Sequence, residues 1–259
     1  MKNGGPQAAH TQPSRPHTER VSVNEITPPE ITGQILALCD DLGAMAPLYL
    51  NVSPAPEARM GWCSTNVLDQ CRKEGGRPLY GWLLWEASGL YLNAEFHCVW
   101  RDGQDLHDIT PTQEGETCVL FAPDPRYAAD FDFKRRPNNR RFRSYGWAER
   151  EPLVRAKLGE ASGSALEYRR RRAEKKSVTL RQMILSSLPR DRLEMLIDEF
   201  LFAAGRTDGM LTVTERGTEC LAPNSVAEYR RRVFEINLMR KNIFKMADRA
   251  VRGTTGFSL

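Results

Sequence analysis

Three residues in the first half of the chain have side chains that perform acyl-transfer chemistry when they lie together. Cys63 opens the segment CSTNVLDQC, His97 lies within LYLNAEFHCVW, and Asp108 belongs to QDLHDITP. A carboxylate that contacts an imidazole fixes its tautomer and stabilises the imidazolium, so such a pair can orient a general base. A thiol beside that base is a candidate nucleophile. The sequence therefore presents a nucleophile, a base and an orienting group.

An Asp-Gly pair between the last two of these residues predicts that their side chains meet across a hairpin. Asp-Gly between two alternating strands is a strong signal for a two-residue loop. With Asp102 and Gly103 as that loop, His97 lies directly opposite Asp108, with Cβ atoms about 4.5–5.5 Å apart. Alternation in the longer strand places His97 on the more polar face. The alternative interpretation is a structural hydrogen bond without a catalytic role.

The context of Cys63 favours a reactive thiol. It follows a loop that contains Pro54 and Pro56, and it begins a helix that we expect to end at Gly75-Gly76. A helix N-terminus and a neighbouring imidazolium both stabilise a thiolate. Backbone N–H groups at a helix N-terminus can also form part of an oxyanion hole. The alternative is an inert core cysteine, because helical spacing aligns Cys63 with the apolar Val67.

Two asparagines are candidates for supporting this thiol. Asn66 lies one turn into the predicted helix, where its amide is suited to bracing the loop that precedes Cys63. Asn51 lies twelve residues before Cys63 and is the nearest upstream amide that could donate to an oxyanion. We therefore assign both side chains to support of the site and neither to the chemical step itself.

Three short segments resemble those of the papain-like and transglutaminase-like cysteine enzymes. They are CSTN from Cys63, HCVW from His97 and DITP from Asp108. The resemblance covers about residues 30–125. It implies an α+β core with a helix packed on an antiparallel sheet, a Cys63 nucleophile, a His97 base and an Asp108 orienting group. It also implies thiolate attack on an amide carbonyl of a protein or peptide, as in proteases, deamidases and transglutaminases.

Other kinds of site are less well supported by the sequence. Cys63, Cys71, His97 and Cys98 have metal-binding side chains, but Cys-x7-Cys is not a usual ligand pair. The adjacent His97 and Cys98 also point to opposite faces of a strand. No phosphate-binding glycine loop of the GxxxxGK[ST] or GxGxxG type is present. We therefore expect neither a metal nor a cofactor.

The composition predicts a cytoplasmic protein with no membrane partner. The longest apolar runs are far shorter than the ~20 residues that a membrane span needs, and the first residues lack a signal-peptide pattern. The six cysteines are irregularly spaced and form no CxxC motif, so we expect reduced thiols. Residues 1–28 are rich in Pro, Gly, Gln and Asn and are predicted to be a disordered tail.

Charge and periodicity divide the rest of the chain into three parts. The predicted parts are an α+β core over 29–125, a basic loop over 126–148 and a helical region over 149–259. The net charge is −7 up to Pro123 and +11 from Asp124 onward. A first helix is expected near 29–45, and further helices near 150–175, 178–187, 190–204 and 225–252. The last helix is apolar enough to bury a broad face against the core or another subunit.

The basic loop is a candidate surface for binding a macromolecule. Its six cations are Lys134, Arg135, Arg136, Arg140, Arg141 and Arg143. Clustered arginines with aromatic neighbours bind phosphates and stack on bases, and they also dock acidic proteins. An alternative function is therefore a catalytically silent papain-like scaffold that binds or inhibits nucleic acid or a nucleoprotein complex. The opposing interpretation is a solvated basic surface without a partner.

Overall fold

A six-stranded antiparallel sheet forms the centre of an α+β fold. The computed structural model of the chain describes residues 25–214 and 219–254. The strands are β1 (Leu48–Asn51), β2 (Arg77–Ala87), β3 (Tyr91–Asp102), β4 (Asp105–His107), β5 (Cys118–Pro123) and β6 (Arg140–Arg143). Their spatial order is β1-β5-β2-β3-β4, and β6 pairs with β3. This architecture confirms the α+β class that the sequence predicts.

Helices flank the sheet in the described part of the chain. They are α1 (Gly33–Leu42), α2 (Cys63–Glu74), α3 (Trp147–Glu160), α4 (Gly163–Lys175), α5 (Leu180–Leu185), α6 (Arg192–Asp208) and α7 (Val226–Thr254). Two short strands, β7 (Leu211–Val213) and β8 (Glu219–Leu221), form a hairpin between α6 and α7. The single helix predicted over 150–175 is two helices, because the Ser162 side chain accepts a hydrogen bond from Ala165 and caps a new start.

The apolar side chains of the sheet form a core on each of its faces. On one face, Ile35 of α1 and Val67 of α2 belong to the same buried cluster as Trp82 and Phe96 of the sheet. On the other face, Val99 belongs to a second cluster with residues of β1, β2 and β5. Burying a large apolar side chain stabilises a fold by about 1.5–3 kcal/mol. Packing of α2 against β2 and β3 therefore fixes the start of α2 relative to the sheet.

The β3–β4 hairpin has a different register from the predicted one. Asp102 pairs with Asp105, so the loop residues are Gly103 and Gln104. Gly103 has a φ of 56°, and glycine at the first loop position is typical of type II′ turns. The predicted register of β3 against β4, in which His97 lies opposite Asp108, is thus displaced by two residues. A displacement of two keeps every side chain on its predicted face, because the strand period is two.

The outer edge of β3 is occupied by two separate short strands. β4 pairs with residues 100–102 of β3, and β6 pairs with residues 91–94. The inner edge of β3 pairs with β2 along its whole length. On the outer edge, residues 95–99 of β3 pair with none of the described strands. His97 lies at the middle of this gap. The gap is therefore the place where the helix and the loops reach the centre of β3.

Several segments differ from the structure predicted for them. Residues 1–24 of the predicted tail lie outside the described residues. Within residues 25–28, Ile26 pairs with Glu86 of β2, and Glu25 accepts hydrogen bonds from Tyr91 and Asn93. The chain just before the predicted loop of Pro54 and Pro56 forms strand β1. The predicted basic loop over 126–148 contains strand β6, which connects the helical region to the sheet.

A buried arginine joins β6 to the helical region. Arg143 donates to Asp198 over 2.9 Å and to Glu194 over 2.6 Å, and its side chain is fully buried. The Glu194 carboxylate also accepts from Arg150, and Asp198 accepts from Arg190 over 2.8 Å. The two carboxylates on α6 are thus neutralised by three guanidinium groups. This ion-pair cluster fixes α6 against the edge of the sheet.

Arg141 and helix α7 complete the packing of the second half. Arg141 is buried and forms an ion pair with Asp208 over 2.6 Å. Ile243 of α7 packs in a cluster with Phe200 of α6 and with Tyr91. Part of the apolar face predicted for the last helix therefore packs against the chain itself, and part of it is exposed. Across the ranges that the structure describes, no helix combines the length and hydropathy needed to cross a bilayer.

We expect Arg143→Met to destabilise the fold strongly. The substitution preserves much of the side-chain volume but leaves Glu194 and Asp198 buried without their shared cation, which costs about 3–5 kcal/mol. The urea midpoint of unfolding measures this loss. Arg155→Met is the matched control, because Arg155 forms an exposed pair with Glu151 on α3 and should change the midpoint little. Equal midpoints for both variants would contradict the structural role of Arg143.

Candidate active site

Cys63 is the first residue of α2, and its side chain is buried. The residue before it, Trp62, is the N-cap and makes no side-chain capping bond. The first hydrogen bond of the helix runs from the Asn66 N–H to the Trp62 carbonyl over 2.8 Å. The N–H of Cys63 therefore has no acceptor among the carbonyls of its own helix. An N–H in this position can donate to the oxyanion that forms when the Cys63 sulfur attacks a substrate carbonyl group.

His97 lies in the edge gap of β3 and is almost fully buried, with 6% of its surface exposed. Its Nε2 atom is 3.2 Å from Oδ1 of Asp108. The Cys63 side chain is the second polar neighbour of the ring and is close enough to influence the pKa of His97. Because Nε2 faces Asp108, Nδ1 is the ring nitrogen left for the thiol. One imidazole thus connects the start of α2 to the segment that follows β4.

The charge state of His97 follows from these two neighbours. Burial by itself lowers the pKa of an imidazole, because the charged form is poorly solvated. The Asp108 carboxylate and the neighbouring Cys63 side chain overcome that effect and hold the pKa of His97 well above its usual range. These two neighbours therefore favour the protonated ring.

Asp108 is reached by a change of strand partners after β4. The ladder with β3 ends at His107, and Asp108 forms a parallel bridge with Val52. Its carbonyl accepts from the Ser53 N–H over 2.8 Å. In its side chain, Oδ1 accepts from the Thr110 N–H over 3.0 Å, whereas Oδ2 has no hydrogen-bond partner among the described residues. The carboxylate is thus fixed through one oxygen, the same one that faces His97.

The two predicted support residues have different surroundings. The Asn66 side chain is buried, accepts from the Arg59 N–H over 3.0 Å and donates to the Arg59 carbonyl over 2.9 Å. It also donates to the Thr110 hydroxyl over 3.1 Å. Asn51 lies at the end of β1 with an exposed side chain, and within the described chain it makes no hydrogen bond to Cys63. Asn66 therefore braces the loop before Cys63, whereas Asn51 makes no such contact among the described residues.

The site includes two residues that the sequence argument does not single out. Thr110 donates its N–H to Asp108 two residues earlier, which is the Asx-turn pattern of an aspartate in a loop. The DxT spacing is therefore a usable signal for this contact. Tyr80 of β2 lies beside Ser64 of α2 and Cys98 of β3, and burial raises its pKa. No local pattern predicts the Tyr80 contacts, because they join three separate elements.

The predicted basic surface is split by the fold. Lys134 and Arg135 are exposed in a short 3-10 turn, Phe133–Arg135. Arg136 and Arg140 are half-buried, and Arg140 donates to the Asn138 carbonyl over 2.8 Å. Arg141 and Arg143 are buried in ion pairs with acidic residues of α6. Both of these arginines therefore lie inside the protein, contrary to the expectation of a continuous surface of six cations.

Burial makes two other thiols, those of Cys39 and Cys98, poor nucleophiles. Burial raises the pKa of Cys39 to about 12 and raises the pKa of Cys98 well above its ordinary value, so both remain protonated. Within residues 25–214 and 219–254, no group of three or more His, Cys, Asp or Glu side chains is arranged to hold a metal ion. The chemistry that these residues support is therefore that of the Cys63 sulfur and its imidazole.

Comparison of the chain with protein-family models, curated proteins and solved structures gives no match. The resemblance to papain-like and transglutaminase-like enzymes therefore depends on the three sequence segments and on the contacts described above. Those contacts are the His97–Asp108 hydrogen bond over 3.2 Å and the position of the Cys63 side chain beside the His97 ring.

We expect the stability conferred by Asp108 to depend on pH. Because the folded-state pKa of His97 is raised, its contribution is complete below about pH 6.5, the ordinary imidazole value, and is lost as pH rises through the folded-state pKa. The difference in urea midpoint between the wild type and Asp108→Asn should therefore be largest near pH 6 and shrink at alkaline pH. His107→Gln, on the same hairpin, is the control. A difference that stays constant with pH would contradict this linkage.

Proposed function

We propose that the protein is a cysteine-dependent hydrolase or acyltransferase that acts on an amide bond. The observation that carries the proposal is that one buried imidazole contacts the Cys63 thiol and the Asp108 carboxylate. In this proposal Cys63 is the nucleophile, His97 is the base and then the acid, and Asp108 orients the ring. Protease, deamidase and transglutaminase reactions all begin with attack of the cysteine sulfur on an amide carbonyl group.

The proposed reaction has two acyl-transfer steps. The Cys63 thiolate, whose proton is on His97, attacks the amide carbonyl carbon and forms a C–S bond. The Cys63 N–H stabilises the oxyanion, the C–N bond breaks, and the proton on His97 passes to the leaving amine. Water or an amine then attacks the thioester and gives up a proton to His97. The C–S bond breaks, the product leaves, and Cys63 and His97 return to their starting state.

The surroundings of Cys63 support a protein or peptide substrate. The residues just before it include Met60, which is 46% exposed, and Trp62, over which the Arg59 guanidinium lies at 4.9 Å from the ring centre. An exposed apolar side chain and an aromatic ring beside the thiol suit the side chains of a polypeptide. The described cysteines are all free thiols, a state that a reducing compartment maintains, and we therefore propose the cytoplasm as the location of the protein.

A second candidate function is a silent scaffold that binds nucleic acid or a nucleoprotein complex. The observation that favours it is on α4, where Arg170, Arg171 and Arg172 are exposed and Tyr168 has 57% of its surface exposed. Cations around an exposed ring suit phosphates and bases. Glu167 pairs with Arg170 and Arg171, which weakens the positive charge of this helix. The buried position of Arg141 and Arg143 further reduces the basic surface, so the enzyme is the better-supported function.

The test of the enzyme proposal is the pH dependence of cysteine alkylation in the folded protein. Iodoacetamide labelling is followed cysteine by cysteine with mass spectrometry. Near pH 6 we expect Cys63 to react roughly 100-fold faster than the exposed Cys220, because in this proposal His97 acts as the base for the Cys63 thiol. His97→Ala should remove this advantage, while labelling of Cys220 stays unchanged and serves as the internal control.

Activity on a carbonyl is tested with an activated aryl ester. Burst release of the alcohol and an acylated Cys63 in the mass spectrum are expected for the wild type, and Cys63→Ala should show neither. If Cys63 labels no faster than Cys220 at any pH, the enzyme proposal is wrong. Salt-dependent binding of a single-stranded oligonucleotide that survives Cys63→Ala would then favour the scaffold.

A further inference from the structure

The residues of the candidate site form a closed ring of contacts. His97 contacts Cys63 on one side and Asp108 on the other. Asp108 accepts from the Thr110 N–H, and the Thr110 hydroxyl accepts from the Asn66 amide. Asn66 lies three residues after Cys63 on the same helix, so the first turn of α2 closes the ring. Each position in the ring is thus fixed from two directions.

Thr110 holds the Asp108 carboxylate through its backbone. Its N–H is 3.0 Å from Oδ1, and the same Oδ1 lies 3.2 Å from Nε2 of His97. Hydrogen bonds to a charged group are roughly twice as strong as neutral ones. Because Oδ2 has no partner among the described residues, these two bonds determine how the carboxylate is turned. A movement of Thr110 would therefore turn the carboxylate relative to the imidazole.

Thr110 reaches α2 through its side chain. Its hydroxyl accepts from the Asn66 amide over 3.1 Å, and the Thr110 side chain is buried. The Asn66 amide is in turn held at both backbone polar atoms of Arg59. A β-branched side chain has few χ1 rotamers, so the hydroxyl and the backbone of Thr110 keep a fixed separation. Thr110 therefore sets the distance between helix α2 and the Asp108 carboxylate.

We propose that Thr110 is a positioning residue that couples the helix bearing Cys63 to Asp108 and so aligns His97 between them. This inference rests on the proposed function, because alignment has a catalytic meaning only if Cys63 is the nucleophile. Thr110 touches neither Cys63 nor a substrate in this role. It acts through two hydrogen bonds, one from its backbone and one to its hydroxyl.

The test compares Thr110→Val with Thr110→Ser. Valine keeps the shape and the backbone N–H but removes the hydroxyl, whereas serine restores it. Misalignment of reacting groups by ~1 Å costs up to about 100-fold in rate. We therefore expect Thr110→Val to lower the acid-side alkylation rate of Cys63 by about 10- to 100-fold and to flatten its pH profile, and Thr110→Ser to restore both. Thr112→Val is the matched control, because its hydroxyl donates to the Glu116 carbonyl outside the ring.

A second readout does not depend on reactivity. In a Cys63→Ala background, NMR titration of His97 reports how well Asp108 is held against the ring. Adding Thr110→Val should lower the His97 pKa, and adding Thr112→Val should not. Urea midpoints measured for all variants separate a general loss of stability from a loss of alignment.

The outcomes distinguish this inference from the proposed function. If wild-type Cys63 is reactive and Thr110→Val leaves its pH profile unchanged, the inference is overturned and the proposed function stands. If wild-type Cys63 is inert, the proposed function fails and Thr110 has no catalytic role, whatever the titration shows. If the His97 titration is the same with threonine and valine, Thr110 does not position Asp108, and the inference fails on that ground as well.

Discussion

The unequal pairing of the two edges of β3 is the constraint on which the candidate site depends. The inner edge is paired with β2 along its length, while the outer edge is shared by the short strands β4 and β6. A continuous strand along the outer edge would fill the gap at residues 95–99 with backbone. The gap instead leaves room for a helix start and a loop to contact His97. The site is thus a consequence of where pairing stops.

Each end of the gap is held by a different kind of interaction. At one end the β3–β4 hairpin is short, and the chain beyond it pairs with Val52 and Ser53. At the other end, β6 is fixed to α6 by Arg143, whose ion pairs are fully buried. Breaking one partner of such a cluster leaves an uncompensated charge, which makes the arrangement highly specific. The helical region therefore contributes to the geometry of the sheet as well as to its own core.

The sequence predicts the site better than it predicts the strands around it. The glycine pair at Gly75-Gly76 marks the end of α2, which begins at Cys63 as predicted. The Asp-Gly signal finds the hairpin but misplaces its loop, since glycine suits either loop position and the ladder decides between them. His97 and Asp108 still meet, because an error of two residues preserves the face. A prediction about the face of a strand therefore survives a register error of two residues.

Contacts between distant segments are where the sequence argument fails. The run from Lys134 to Arg143 has no acidic residue within it, which favours an exposed basic surface. The partners of Arg141 and Arg143 lie more than 50 residues further along the chain. An interpretation restricted to neighbouring residues cannot find such partners. The same limit applies to Thr110, whose hydroxyl is bonded to an amide 44 residues earlier.

The energetics of the site give a final reason to associate it with chemistry. Removing a carboxylate and an imidazole from water costs several kcal/mol per ion, and a well-packed apolar pair in the same place is often as stable or more so. The Oδ2 atom of Asp108 adds to this cost, because it has no partner among the described residues. Stability alone therefore does not explain why His97 and Asp108 are buried together. Local departures from optimal stability are typical of functional sites, and a thiol against the same imidazole is what such a site requires.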